Sequence, residues 1–443
     1  MKFYRCLTLI VPLFLLACQA SNSNISTQSP PSPIAQTEPA TVIRTPSSTP
    51  SPTTIFTTIP SQTAVPSSSP TLPPSLSSLR IVYADGQNVW LWQNGVVTFL
   101  MTIEGYTELK LSDDGEWVAF KRDGLLWVIN SDGTGEHLLV SSGNLKTIDS
   151  ATSESRLLVS QFDWVPHTHT LLFNTSFSGM GGFDRDDLHM IDADTLTWKA
   201  LRSAGKGGSF FISPSGEQLV MVTPHEISLM NVNGSNYRSL LKYSQIDTGS
   251  EYYYYAMPTW SIDSQSLMVD IPPRDYRDNP TAMKLIWHLF ANGNPPVEVS
   301  QFPRQYRYVF SPDLSKLAYS DLKNNFVNEI HTANTDGSED MIYQSTINMN
   351  FEIWSPDSEY FTLSSRTSRQ YYLARIGDEP MLLTEQDSQD FLWIDKLYFL
   401  YKNTHNGACE LRLGTIGKPS ILLATFALDP ASSDCFKPYD FVQ

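Results

Sequence analysis

Three stretches concentrate side chains able to bind or react. Residues 174–187 read NTSFSGMGGFDRDD, residues 243–256 hold the run Tyr252-Tyr253-Tyr254-Tyr255, and residues 270–283 read DIPPRDYRDNPTAM. Arginine offers a planar fork of donors, and tyrosine a rigid face with one polar atom. A surface carrying both suits recognition of a protein, peptide or glycan. Phe183, Arg185, Tyr252, Tyr253, Arg274, Tyr276 and Arg277 are the candidate ligand-binding residues; the competing use of the same side chains is packing of the loops on one another. His167 and His169 point the same way on an extended segment, but no third ligand lies near them in sequence, so no metal is assigned. Asp184, Asp186 and Asp187 beside Gly181-Gly182 lack the spacing of an EF-hand loop and read as solvated carboxylates. There is no Gly-x-Ser-x-Gly nucleophile elbow. No spacing selects a carboxylate pair for glycan cleavage, although folding brings distant residues together. No catalytic residue and no cofactor are assigned.

The elements that must position these residues are short strands. Residues 111–141 contain three apolar runs, at 117–120, 125–129 and 137–140, separated by Asp-Gly turns. Asp-Gly between apolar runs signals a hairpin, because glycine accepts positive φ and aspartate bonds its own backbone. With the strand that ends at Leu111 this makes a four-stranded antiparallel unit, which buries its faces only by stacking on copies of itself. The copies are visible. The apolar residue closing the first strand recurs as Leu111, Trp164, Ile212, Trp260, Phe310, Trp354 and Trp393. A serine follows in five of the seven, with Val165 and Ile394 in the other two. The repeat falls in the range of a propeller blade.

Ser311-Pro312-Asp313 and Ser355-Pro356-Asp357, each after an aromatic residue, resemble the TolB-type propeller repeat, as do the turns Asn130-Ser131-Asp132-Gly133 and Asn334-Thr335-Asp336-Gly337. The resemblance covers most of residues 79–443. It implies an all-β fold, a single propeller of four-stranded antiparallel blades, but no particular function, because such propellers serve as binding platforms, enzyme gates and catalytic domains. Ser112-Asp113-Asp114-Gly115 reads as a turn; its glycine spacing departs from the Asp box of sialidases. Seven units follow an incomplete first one, and Tyr439–Val442 is the strand able to complete it, closing the ring by pairing the two ends. That gives eight blades, or seven if the weak last unit is not separate. In such blades the short Ser-Pro-Asp and Asp-Gly turns share one face and read as structural. The three long stretches share the other, where loops on a rigid scaffold commonly carry binding.

The amino terminus is of another kind. Lys2 and Arg5 precede an apolar run too short to span a bilayer. Leu15-Leu16-Ala17-Cys18 resembles the lipobox of bacterial lipoproteins, which implies a signal peptide over residues 1–17 and lipidation at Cys18. An ordinary secretory signal with an incidental cysteine is the alternative. Residues 18–78, roughly two-thirds Ser, Thr and Pro, have too little apolar surface to offset chain entropy and read as a disordered tether. Acyl chains would hold the protein to the membrane.

Setting aside Lys2, Arg5, Arg44 and Glu38 leaves 27 basic against 45 acidic side chains, a net −18 for residues 79–443. That charge disfavours nucleic acid and anionic lipid heads, leaving the anchor as the only membrane contact. Cys409 and Cys435 are an even pair in an exported domain, either disulfide-bonded or two separate thiols. The reading is a lipid-anchored binding or scaffold module of the bacterial envelope, facing outside the cytoplasm. A glycoside hydrolase or polysaccharide lyase is the alternative.

Overall fold

The computed structural model describes residues 76–103, 108–148, 157–178, 185–279, 281–303, 307–322, 327–347, 349–428, 435 and 439–443. Cys18, the lipobox, residues 19–75 of the proposed tether and Phe183 lie outside these residues, while Leu76, assigned from sequence to the end of the tether, is buried in the core. Among the described residues no helix is long and apolar enough to cross a membrane.

The chain forms eight four-stranded antiparallel sheets in a ring, an eight-bladed β-propeller. Seven blades run in sequence order. Their first strands are Leu109–Leu111, Leu157–Trp164, Ser209–Ile212, Thr259–Trp260, Val309–Phe310, Met349–Trp354 and Ser388–Trp393. Each ends at the apolar residue picked out by the repeat. Blade 1 is composite: Arg80–Ala84 pairs with Asn88–Gln93 on one edge and with Tyr439–Val442 on the other, Arg80 opposite Val442 and Tyr83 opposite Tyr439. The carboxy-terminal strand thus supplies the missing strand and leaves no open edge.

The ring is held by residues of the repeat itself. Ser112, Ser261, Ser311 and Ser355 are buried, and each donates its hydroxyl at 2.6 Å to the aspartate two residues on. Each also accepts the backbone N–H five residues on, at 2.9–3.0 Å. A small hydroxyl is required because it satisfies buried backbone groups where no larger side chain fits. In blade 4, Ser213 accepts from Gln218 in the same way, with Ser215 in the aspartate's place. Tryptophan links blades: Trp164, Trp260 and Trp354 donate Nε1–H to the carbonyls of Lys110, Phe211 and Val309 in the preceding blade, at 2.9, 3.0 and 2.9 Å. Trp393 breaks the series. Its equivalent acceptor, Ile353 O, lies at a bulge and accepts Thr362 Oγ1 at 3.2 Å, and the Trp393 Nε1–H is buried without a partner.

Two features depart from the sequence expectation. The strand Thr170–Phe177 runs four residues into the stretch read as an insertion, so Asn174 to Phe177 belong to the sheet. The connection between blades 2 and 3 carries a short helix, Ser142–Ile148, capped by Ser141, whose Oγ accepts Asn144 N–H at 3.1 Å while Asn144 Oδ1 accepts Ser141 N–H at 3.0 Å.

Cys409 and Cys435 are joined by a disulfide, with Cα atoms 5.6 Å apart. Both are buried in the seam core between blades 8 and 1, among Leu76, Leu79, Trp92, Phe426 and Phe441. Lys402, 2 % exposed, lies beside it and donates to Asp390 Oδ2 at 2.6 Å and to Cys435 O at 3.1 Å.

Candidate functional site

On the long-loop face, the connection entering blade 5 is seated on three sides. The Tyr243 hydroxyl donates to Thr223 O at 2.6 Å, over the short turn of blade 4. The Tyr254 hydroxyl donates to Asp270 O at 3.2 Å, and the Tyr255 hydroxyl to Asp186 Oδ1 at 2.7 Å in the blade 3 loop. Burial pushes the Tyr243 and Tyr254 phenols well above the ordinary tyrosine range, so both stay protonated donors. The blade 5 loop closes on the same connection: Asp247 N–H donates to Arg274 O at 3.1 Å. The Arg277 guanidinium lies so close to Gly249 that a Cβ there would sit 1.9 Å from Nη1, and Gly249 has φ +67°. The positive φ favours glycine here, and any larger residue would also displace the guanidinium.

The sequence-selected residues therefore divide. Tyr252 and Tyr253 stand 50 % and 55 % exposed, and Arg274 and Arg277 are exposed beside them. Tyr276 is half-buried. Arg185 is turned inward, its Nη1 3.5 Å from the fully buried Asp187 Oδ2. Asp187, read from sequence as a solvated loop carboxylate, is an internal anchor: it accepts from Thr175 N–H at 2.8 Å and Thr175 Oγ1 at 2.6 Å and faces His189. Burial alone would raise its carboxyl; hydrogen bonds from His189 and Thr175 outweigh it and hold the group below the ordinary range.

The turn face, which reads from sequence as purely structural, carries a cleft of about 490 Å³ at the junction of blades 2 and 3. Asp113, Asp114, His167, Thr168, His169 and Asp194 line it. The blade 3 turn, Val165-Pro166-His167-Thr168-His169, lacks the Ser-x-Asp pattern. Its positive φ falls on His167 at 63°, one residue earlier than in the neighbouring turns. Asp113 Oδ2 fixes this turn by accepting His167 N–H at 2.8 Å. The His169 ring then stands between two carboxylates, Nε2 2.6 Å from Asp114 Oδ2 and Nδ1 2.8 Å from Asp194 Oδ2. Asp194 is placed by its own hairpin, where Ala193 N–H donates to His169 O at 2.9 Å. Partial burial would lower the imidazole's pKa, but the two carboxylates outweigh it and raise it. Asp114 is held low in turn, burial being outweighed by Ser112, Glu116 N–H and His169. Potential ligand atoms of Asp114, Glu116 and His169 all lie within 4.8 Å of one another; Asp321, Glu329 and His331 in blade 6 make a second such set.

No protein-family model matches the chain, and no curated protein matches it. Solved structures do. Dipeptidyl peptidase 4 of Porphyromonas gingivalis superposes with a TM-score of 0.51 at 12 % identity, over 72 % of this chain and 53 % of that one, so this chain spans about half of the peptidase. The dihydro-heme d1 dehydrogenase NirN in complex with DHE gives 0.50 at 12 % identity, over 84 % and 77 %. An oligogalacturonate lyase in complex with manganese gives 0.42 at 12 % identity, over 59 % and 83 %. At these identities the likeness is one of fold. The chain is an eight-bladed β-propeller resembling the TolB-like and peptidase propeller domains.

Proposed function

We propose that this chain is an exported, lipid-anchored propeller of the bacterial envelope that works without chemistry of its own, as a binding or scaffold module for a protein, peptide or glycan. The observation that carries the reading is the pinned connection on the long-loop face. Tyr243, Tyr254 and Tyr255 are committed to holding it, while Tyr252, Tyr253, Arg274 and Arg277 face outward. Aromatic and arginine side chains on a pre-ordered backbone bind with little further loss of entropy. Export and anchoring are supported by Lys2, Arg5, the apolar run and Cys18. The test is capture on a glycan and peptide panel by the full chain. A ligand should lose at least about tenfold in affinity with Tyr252→Ala, Tyr253→Ala or Arg274→Ala. Equal capture by all three variants overturns the loop-face reading.

A second reading, glycan cleavage, draws on Glu352 in the first strand of blade 7. Burial raises its carboxyl against the opposing effects of Ser364, Arg307 and Arg366, which suits a general acid. Cleavage by paired carboxylates also needs an oppositely placed partner, and among the described residues the groups acting on or beside Glu352 are the Ser364 hydroxyl, the Arg307 and Arg366 guanidiniums and the Tyr371 phenol, so binding takes precedence. Turnover in a polysaccharide panel, abolished by Glu352→Gln, would reverse that order.

A further inference from the structure

We infer that the junction of blades 2 and 3 is a divalent transition-metal site, with Asp114, Glu116 and His169 as ligands and Asp194 as the outer partner of the histidine. The donor set selects the metal class. Imidazole with carboxylates suits zinc or manganese, whereas calcium and magnesium favour all-oxygen shells. The histidine carries the arrangement expected of a metal ligand. Nδ1 faces Asp194 at 2.8 Å, which holds the ring so that Nε2 points at Asp114 Oδ2 at 2.6 Å, and an ion would take the place of the proton those two atoms share. Asp114 has divided its two oxygens: Oδ1 accepts Ser112 Oγ at 2.6 Å and Glu116 N–H at 3.0 Å, while Oδ2 faces His169 Nε2 at the cleft. The nearby Arg80 bonds the Asp114 carbonyl at 3.0 Å, not its carboxylate.

The ligands come from two blades, and one of them, Asp114, is also the aspartate of the blade 2 Ser-x-Asp turn, which holds it in place through Oδ1. Blade 2 gives Asp114 and Glu116 from one turn. Blade 3 gives His169 from the one turn among these whose positive φ is displaced, at His167. Two ligands at about 2.1 Å from one ion stand about 3 Å apart at right angles and about 3.4 Å apart at the tetrahedral angle of zinc. The present 2.6 Å between His169 and Asp114 therefore opens by about 0.4 to 0.8 Å on binding, at side chains 19 % and 44 % exposed. Three protein ligands leave further coordination positions facing the cleft, open to water or to an oxygen ligand.

Isothermal titration of the chelator-treated full chain with zinc chloride, and separately with manganese chloride, tests the site. One ion per chain is expected at the junction, with binding weakened at least about tenfold by His169→Ala and by Glu116→Gln. Glu116 is exposed, so its variant carries the test if the histidine variant does not fold. Circular dichroism verifies the fold of each. His331→Ala, in the blade 6 set, should leave junction binding intact. No binding by the unaltered chain up to millimolar metal overturns the inference. So does binding that survives both junction variants or disappears with His331→Ala alone.

Discussion

At the scale of the residue, the informative contrast is between side chains of one type in different surroundings. Trp260 and Trp393 close equivalent strands and are both buried, yet only Trp260 has a carbonyl for its indole N–H. Trp260→Phe should cost about 1 kcal/mol more than Trp393→Phe in chemical denaturation, because only the first removes a satisfied bond and orphans a carbonyl. Asp187 supplies a pH dependence. Its folded-state pKa lies below the unfolded value, so its stabilising effect is complete above the unfolded carboxylate range and is lost as pH falls through the folded pKa. Stability measured from pH 6 downward should therefore fall less steeply in Asp187→Asn than in the unaltered chain, though from a lower starting point. Sequence alone gave little access to this scale. His169 meets Asp114 55 residues back and Asp194 25 residues on. A search for ligands close in sequence passes over partners that only the blade repeat brings together. Asp187 was misread for a related reason: three aspartates beside two glycines look like loop surface, and nothing local shows that Thr175 turns one of them inward.

At the scale of the element, the buried serine of four turns, Ser112, Ser261, Ser311 and Ser355, ties two strands by accepting a backbone N–H and donating its own O–H to an aspartate. Ser311→Ala and Ser355→Ala should each lower unfolding free energy by about 1–2 kcal/mol, and Asp313→Ala by less, since its turn keeps the serine-to-backbone bond. Equal losses would show that the aspartate, not the serine, organises the turn. Elements of this kind were legible in the sequence. An apolar residue, a serine and an aspartate at fixed offsets answer to hydrogen bonds made within a few residues, so the ends of the first strands could be read directly. The extension of Thr170–Phe177 was not legible, because Asn174 and Thr175 are polar by type and are held in the sheet by distant groups, Gly208 and Asp187. The same limit blurred the long-loop face. Its location followed from topology, but which tyrosines hold and which face outward depends on carbonyls in other blades.

At the scale of the whole molecule, closure rests on Tyr439–Val442, with Asp440 Oδ2 accepting Leu111 N–H at 2.7 Å across to blade 2. Deleting residues 439–443 should lower the melting temperature by well over 10 °C and raise protease sensitivity in blade 1, because it exposes an open sheet edge over a buried core. Reducing Cys409–Cys435 should act in the same direction but by less, about 3 kcal/mol for a loop of this size. A deletion variant as stable as the full chain would mean that the seam contributes nothing. Eight blades and end-to-end closure followed from counting repeats and finding one strand short at the front and one spare at the back.

The composite blade also sets how the molecule bears load. The chain enters the ring at Arg80, in a strand flanked on one edge by its own hairpin and on the other by the final residues. Because Arg80 lies opposite Val442, residues 80 and 442 sit at the same end of this antiparallel ladder, and a pull that separates them opens it bond by bond instead of shearing it. Force-extension traces of the ring held at residues 80 and 442 should therefore begin with a low rupture event at the seam, before the other blades give way.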